Sequence, residues 1–271
     1  MIPEIFLASK FAIKQLKFYI MKKLLLTTGT ALAVTMSYAQ SNEDLSIQNG
    51  DDNSILVTQV GVNNDNSILQ FGDSNRAEVS QNGWANESDI TSIGDFNEAY
   101  VDQVGSFNGS TITQLGDGNI AEVSQDGISN VSTQDQMGDG NFASVTQDGI
   151  GNSSEQDQDG TDNTAVVVLQ DGILNFAYQT QDGADNFALI DQEGSINLAA
   201  QSQFGSDHQA YAVQDGNFNM INQSQSGTGH LAVDLQTGDF NSSTVIQTGG
   251  AHEHLGVQTG DSNYMMVTQS N

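Results

Sequence analysis

The sequence predicts an all-β solenoid with two strands per rung, and three observations carry that prediction. Gln-x-Gly recurs every eleven residues; the residues between one turn and the next glutamine alternate in polarity; and next-but-one units match each other better than neighbouring units do. Alternation with period two over about seven residues is the signature of a strand. A short fixed period running along most of a chain is the signature of a stacked repeat.

The first segment stands outside the repeat. Met21-Lys22-Lys23, the apolar run from Leu24 through Val34 and the ending Ser37-Tyr38-Ala39 form the three parts of a secretory signal peptide. Its apolar stretch of about eleven residues is short for the roughly 30 Å of a bilayer core. Residues 1–39 therefore read as a signal region with its start at Met21 and cleavage after Ala39, and residues 40–271 as the exported solenoid. Five of the six basic residues (Lys10, Lys14, Lys17, Lys22, Lys23) and the only proline, Pro3, fall in that leader. Of the 34 acids only Glu4 does, so from Gln40 onward Arg76 stands against 33 acids, a net charge of 1 − 33 = −32. A chain so acidic has no face for phosphates, which excludes nucleic acid as a partner. With no cysteine, disulfides and thiolate sites are excluded too.

Each repeat unit is a strand followed by a turn. In Asn75-Arg76-Ala77-Glu78-Val79-Ser80-Gln81, Asn, Ala, Val and Gln fall on one face and Arg, Glu and Ser on the other. The turn glycines Gly61, Gly72, Gly83, Gly94, Gly105, Gly116, Gly127, Gly138 and Gly149 supply the backbone freedom a tight turn needs. An eleven-residue unit buries nothing alone, so units must pair. Val57, Val79, Val101, Val123 and Val145 lie 22 residues apart, while the alternate series changes from Ile68, Ile90 and Ile112 to glutamine. The structural repeat is thus 22 residues, giving about ten rungs and, at roughly 4.8 Å per strand, a solenoid about 50 Å long.

Inward amides must be paired, and stacking like on like pairs them. The expected ladders are Gln59, Gln81, Gln103, Gln125, Gln147, Gln170, Gln192 and Gln214; Asn75, Asn97, Asn119 and Asn141; and Gln134, Gln156, Gln179, Gln201 and Gln223. The single twelve-residue step, from Gln158 to Gln170, predicts a β-bulge near Val166, Val167 and Val168.

These units resemble the curlin family, as in Gln114-Leu115-Gly116-Asp117-Gly118-Asn119-Ile120-Ala121-Glu122-Val123-Ser124-Gln125, and the resemblance covers residues 44–271. It implies a secreted structural subunit, not an enzyme and needing no cofactor, that self-assembles into an extracellular amyloid fibre of the biofilm matrix and adheres at the cell surface. Its implied partners are other copies of itself, an outer-membrane secretion channel, a periplasmic chaperone and a nucleating subunit. The alternatives are a nucleating subunit itself, or a monomeric solenoid adhesin that binds cations. The chain has about twice the repeats of familiar curlins. It lacks basic residues in its last repeats, which favours the major-type subunit over the nucleator.

Three further features carry expectations. Asp51, Asp73, Asp95, Asp117 and Asp139 stack along one turn edge, where a divalent cation could relieve their repulsion. His208, His230 and His252 replace asparagine at 22-residue spacing, and His252 with His254 makes a weak metal pair. Phe187, Leu189, Tyr211, Val213, Leu231, Val233, Leu235, Leu255 and Val257 share an outward apolar face. The uncharged segment from Asn263 to Gln269 is expected to template the first rung, around Leu45 to Gln59, of another copy.

Overall fold

The computed structural model describes residues 41–271; the signal region expected over 1–39 lies outside them. Twenty-one strands run from β1 (Glu43–Asn49) to β21 (Tyr264–Ser270), and every regular element among the described residues is a strand. Odd-numbered strands form one parallel sheet of eleven and even-numbered strands a second of ten, each in chain order. Thus β1 pairs with β3 (Asp65–Phe71), and β2 (Ser54–Val62) pairs with β4 (Arg76–Trp84). The partner of Val57 is Val79 and that of Gln59 is Gln81, so 22 residues make one rung.

The alternation places the core. In β4 the side chains of Ala77, Val79 and Gln81 are buried while Arg76 faces solvent and Glu78 and Ser80 are half-buried. The hydrophobic cluster is a thin column of alanine and β-branched residues that includes Val79, Val101, Val123, Val145 and Val167 from one sheet and Ile68, Ile90 and Ile112 from the other. β-branched side chains suit this pleated, laterally crowded surface. Between these apolar columns run buried Gln, Asn and Ser columns, so the interior is as much amide as hydrocarbon.

The turns explain the glycine. All nine predicted turn glycines have positive φ. At Gly105, with φ 112°, a β-carbon would lie 2.0 Å from the carbonyl oxygen of Gly127 in the next rung, so backbone and not side chain occupies that space. Two residues on comes a second left-handed position. Asp52, Ser74, Asp185 and Asp207 suit it, but Phe107, Leu174, Ile196, Phe218 and Phe240 also hold it, at φ 57–59°. The left-handed conformation costs a bulky residue about 1–2 kcal/mol.

The extra residue lies elsewhere than expected. In β12 (Thr164–Ile173), Ala165, Val167 and Leu169 stay in register with Ala143, Val145 and Gln147, and the register slips only beyond Leu169, where Gly149 meets Gly172. Gln170 therefore leaves the ladder and pairs with Glu193, and the wholly buried Leu169 takes its place between Gln147 and Gln192. A bulge at Val166–Val168 would have turned the following core residue outward, because a one-residue slip flips every side chain. Placed at the end of the strand, the bulge disturbs only the approach to the turn.

Gly105→Ala is expected to lower stability by about 1–3 kcal/mol for the strained φ alone, with the clash against Gly127 added. Thermal unfolding by circular dichroism, set against Gly109→Ala, which meets no neighbouring atom within 4 Å, measures it.

Candidate assembly interface

The glutamines of the even-numbered sheet form a continuous chain of bonds. Gln59, Gln81, Gln103 and Gln125 each donate Nε2–H to Oε1 of the glutamine one rung on, at 2.9, 2.9, 2.8 and 2.8 Å, ending on Gln147. Their second amide hydrogen crosses to the other sheet: Gln103 reaches the Glu87 carbonyl at 2.9 Å and Gln125 the Gly109 carbonyl at 3.0 Å. Each interior glutamine thereby binds the rung behind, the rung ahead and the opposite sheet. Leu169 breaks this chain, which resumes as Gln192 to Gln214 at 2.7 Å and continues to Gln258. The second expected ladder runs through Gln134, Gln156, Gln179, Gln201 and Gln223 with bonds of 2.8–3.0 Å.

Besides the buried hydroxyls of the Ser88, Ser110, Ser132 and Ser154 column, three glutamine amides are left unsatisfied, each where a glutamine column is interrupted. Gln192 Oε1 is orphaned beside Leu169, Gln134 Oε1 follows Ile112, and Gln70 Nε2 faces Ser92. Each costs about 1–3 kcal/mol.

The asparagines do something different from simple amide stacking. Oδ1 of Asn75, Asn97 and Asn119 accepts the backbone N–H of Asn97, Asn119 and Asn141 respectively, each at 3.0 Å. Nδ2 of Asn75, Asn97, Asn119 and Asn141 donates to the carbonyls of Gly94, Gly116, Gly138 and Gly160, at 2.7–3.0 Å. One short side chain thus clamps the turn of the following rung from both sides. Glutamine is too long for this, and aspartate would lack the donor.

The aspartate edge is bound to the backbone in the same way. Asp73, Asp95, Asp117 and Asp139 each accept, through Oδ1, the N–H of the aspartate one rung earlier, at 2.7–2.9 Å. Among the described residues no group of three or more His, Cys, Asp or Glu side chains is placed to hold a metal ion. The column is explained by capping of turn amides.

The histidines take over the asparagine task. His230 and His252 donate backbone N–H to Nδ1 of His208 and His230, at 3.3 and 3.1 Å, and the three rings stack at 5.0 and 5.2 Å. Each Nε2 lies 3.1 Å from the carbonyl four residues earlier, Phe204, Ser226 or Thr248. That assigns the neutral tautomer with the proton on Nε2 to His208 and His230. Burial pushes the His208 imidazole below its ordinary value; the Phe204 carbonyl opposes this and His230 adds to it.

His254 belongs to a different constellation, and Asp234 was not foreseen as its partner. Asp234, wholly buried in β18 (Leu231–Thr237), stands in the valine column two residues before Gln236. It accepts from Gln223 Nε2 and Ser243 Oγ at 2.7 Å each, and lies 3.3 Å from His254 Nε2. Gly256, one rung on, makes the room, since a β-carbon there would lie 2.5 Å from Asp234 and 2.8 Å from His254. The sequence signal was available as Ala212, Asp234 and Gly256 breaking the valine column. His252 and His254 do not converge on a common site; one caps a turn and the other faces the core.

The outward apolar residues do share the even sheet. Leu255 and Val257 are the most exposed of them at 70% and 61%, Leu235 is exposed too, the others are half-buried, and Phe187 and Tyr211 are in ring contact at 5.3 Å. Asp191, between Val168 and Val213, has its carboxyl pushed up by burial.

Stacked parallel strands with in-register amide ladders define a β-solenoid of structural, curli type. Four stretches, residues 50–83, 85–116, 94–127 and 183–216, match the family model of the curlin associated repeat, and the chain belongs to the curlin family. No curated protein matches its sequence.

Two outcomes test the site. Because the unfolded chain protonates His208 at higher pH than the folded one does, its contribution to stability is whole above about pH 6.5 and falls away below it. His208→Asn should flatten the loss of melting temperature between about pH 7 and 5.5. Asp157, raised by burial and then by Asp135 beside it, acts in the opposite sense at lower pH, since protonation there relieves the folded state. Asp234→Ala should destabilise by about 1–3 kcal/mol for each buried partner it strands, read by urea unfolding.

Proposed function

We propose that the chain is an exported subunit that stacks rung on rung into an extracellular amyloid-type fibre, serving biofilm matrix and adhesion at the cell surface. The observation that carries this reading is the polarity of the ladders. Every glutamine-to-glutamine bond runs from Nε2 to the Oε1 one rung nearer the C-terminus, so among the described residues Gln48 and Gln59 present Oε1 acceptors with no donor. Gln258 and Gln269, at the other end, spend Nε2 only on cross-sheet carbonyls at 3.0 and 2.9 Å. One end offers donors and the other acceptors, which suits head-to-tail addition and opposes head-to-head. Among the described residues β20 (Glu253–Thr259) and β21 are edge strands, and their outward side chains Leu255, Val257, Tyr264 and Met266 are among the most exposed of the large apolar residues.

Export rests on the leader over residues 1–39, and passage through an outer-membrane channel, protection by a periplasmic chaperone and initiation by a nucleator are its proposed partners' tasks. The absence of basic residues in the last repeats supports the major-type role.

The chain from Gln40 at neutral pH should elongate from preformed seeds without a lag and give a 4.7–4.8 Å cross-β reflection. A folded chain that stays monomeric with seeds present would overturn the reading. Gln258→Lys with Gln269→Lys puts unpaired charge into the junction, at several kcal/mol, and should slow seeded elongation about tenfold or more.

A further inference from the structure

The solenoid has two turn edges, and they differ in chemistry. On the edge that follows the odd-numbered strands, each of the first eight rungs, beginning at residues 51, 73, 95, 117, 139, 161, 184 and 206, carries at least one aspartate at the two outermost turn positions, and the last two, Thr228-Gly229 and Gly250-Ala251, carry none. On the opposite edge only the last two rungs bring a charged side chain to the same two positions, Asp239 and Asp261; those beginning at residues 62, 84, 106, 128, 150, 173, 195 and 217 carry none. Instead they hold an exposed apolar ridge in which Trp84, Phe107, Ile128, Ile150, Ile196 and Phe218 are each 41–48% exposed. Trp84 packs against Phe107 at 4.6 Å, and Phe218 stacks on Phe240 at 4.8 Å, so the ridge is ordered along the axis.

Backbone conformation supplies an independent sign. Phe107, Leu174, Ile196, Phe218 and Phe240 occupy the left-handed turn position on this edge, where Asn63 shows what the backbone prefers. On the aspartate edge that position holds Asp, Ser, Gly or Ala in every rung but that of Phe96. Bulky residues held in a left-handed conformation are placed against the preference of the local backbone. The ridge therefore exists for its surface.

We infer that this ridge is a lateral docking surface for a second copy of the chain, joining fibres side by side; the inference rests on the fibre reading above. Two features select this occupant. A partner meeting every rung must itself repeat at the strand spacing of roughly 4.8 Å, as another copy does. A copy carrying about thirty uncompensated acids can approach its like only along a neutral strip. Eight rungs span about 40 Å, and a strip roughly 10 Å wide covers about 400 Å² a side, half of what a stable pair buries. Single copies thus stay apart, while a fibre, with one ridge per copy, multiplies the contact. Asp126, Asp148, Glu193 and Asp215 flank the ridge on the outer sheet face, so raised ionic strength should thicken the bundles.

The test is Phe107→Asn, Leu174→Asn, Ile196→Asn and Phe218→Asn combined in the chain from Gln40, with Phe96→Asn on the other edge as control. Asparagine suits the left-handed position, so the melting temperature should hold or rise. Seeded elongation should match the parent, while electron micrographs show single filaments in place of bundles and the low-speed-sedimentable fraction drops about tenfold. Bundles that persist in the quadruple variant, parent fibres that never bundle, or a quadruple variant that folds but cannot elongate would each overturn the lateral role. A parent chain that forms no fibre at all would instead sink the fibre reading, and the ridge's role with it.

Discussion

The registration of side-chain amides governs everything else in this molecule. A glutamine buried between two sheets is tolerable only if its oxygen and both its hydrogens are matched, and the solution is the same residue one rung behind and one rung ahead. The constraint is collective: shifting one strand by a residue would strand the amides of that strand and of both its neighbours. It also explains why the repeat is so regular in length. A solenoid held by hydrocarbon alone can absorb insertions by repacking, whereas one held by ladders has to expel them to a turn, as the bulge after Leu169 shows.

Interruptions of the ladders show how far the constraint bends. Ser92, Ile112 and Leu169 each break one column and leave one orphaned amide group nearby. The fold tolerates these because a rung is held by several columns at once, and Ser92, Ile112 and Leu169 themselves stay paired with the strands on either side. Asp234 is a different kind of interruption. It ends the Gln134-to-Gln223 ladder by accepting its last hydrogen from across the core, and draws in Ser243 and His254, so that a carboxyl, a hydroxyl and an imidazole satisfy one another where an aliphatic column fails.

Most of the fold was legible in the sequence because 22-residue arithmetic maps directly onto parallel, in-register pairing. Gln59 to Gln147, the nine turn glycines and the pairing of next-but-one units needed no knowledge of what lies across the core. What the arithmetic could not give was contact between columns. Asp234 meets partners 9, 11 and 20 residues away, none of them a repeat distance from it. The asparagine clamp was hidden for a similar reason, since its partners are backbone groups of the next turn and carry no residue identity to read. The bulge was misplaced because the run Val166-Val167-Val168 is apolar throughout, and only the burial of Ala165, Val167 and Leu169 shows which of its residues keep the core register.

The two turn edges remained pooled in the sequence because they share one eleven-residue motif, and their chemistry separates only once the sheets are told apart. That separation bears on how a chain with so many acids can associate with itself. Along the axis, repulsion between stacked carboxylates is met by short-range bonds: each aspartate of the Asp51-to-Asp139 column from Asp73 onward holds a turn amide of the rung before it. Across the axis no such bonds are available, and like-charged faces push apart over a Debye length of about 10 Å. Keeping one edge free of charge for eight rungs, at the cost of left-handed phenylalanines and branched residues, leaves a single direction from which that repulsion is weakest. Axial growth and lateral contact then depend on different groups, amides for the first and the neutral ridge for the second, so each can vary in sequence without disabling the other.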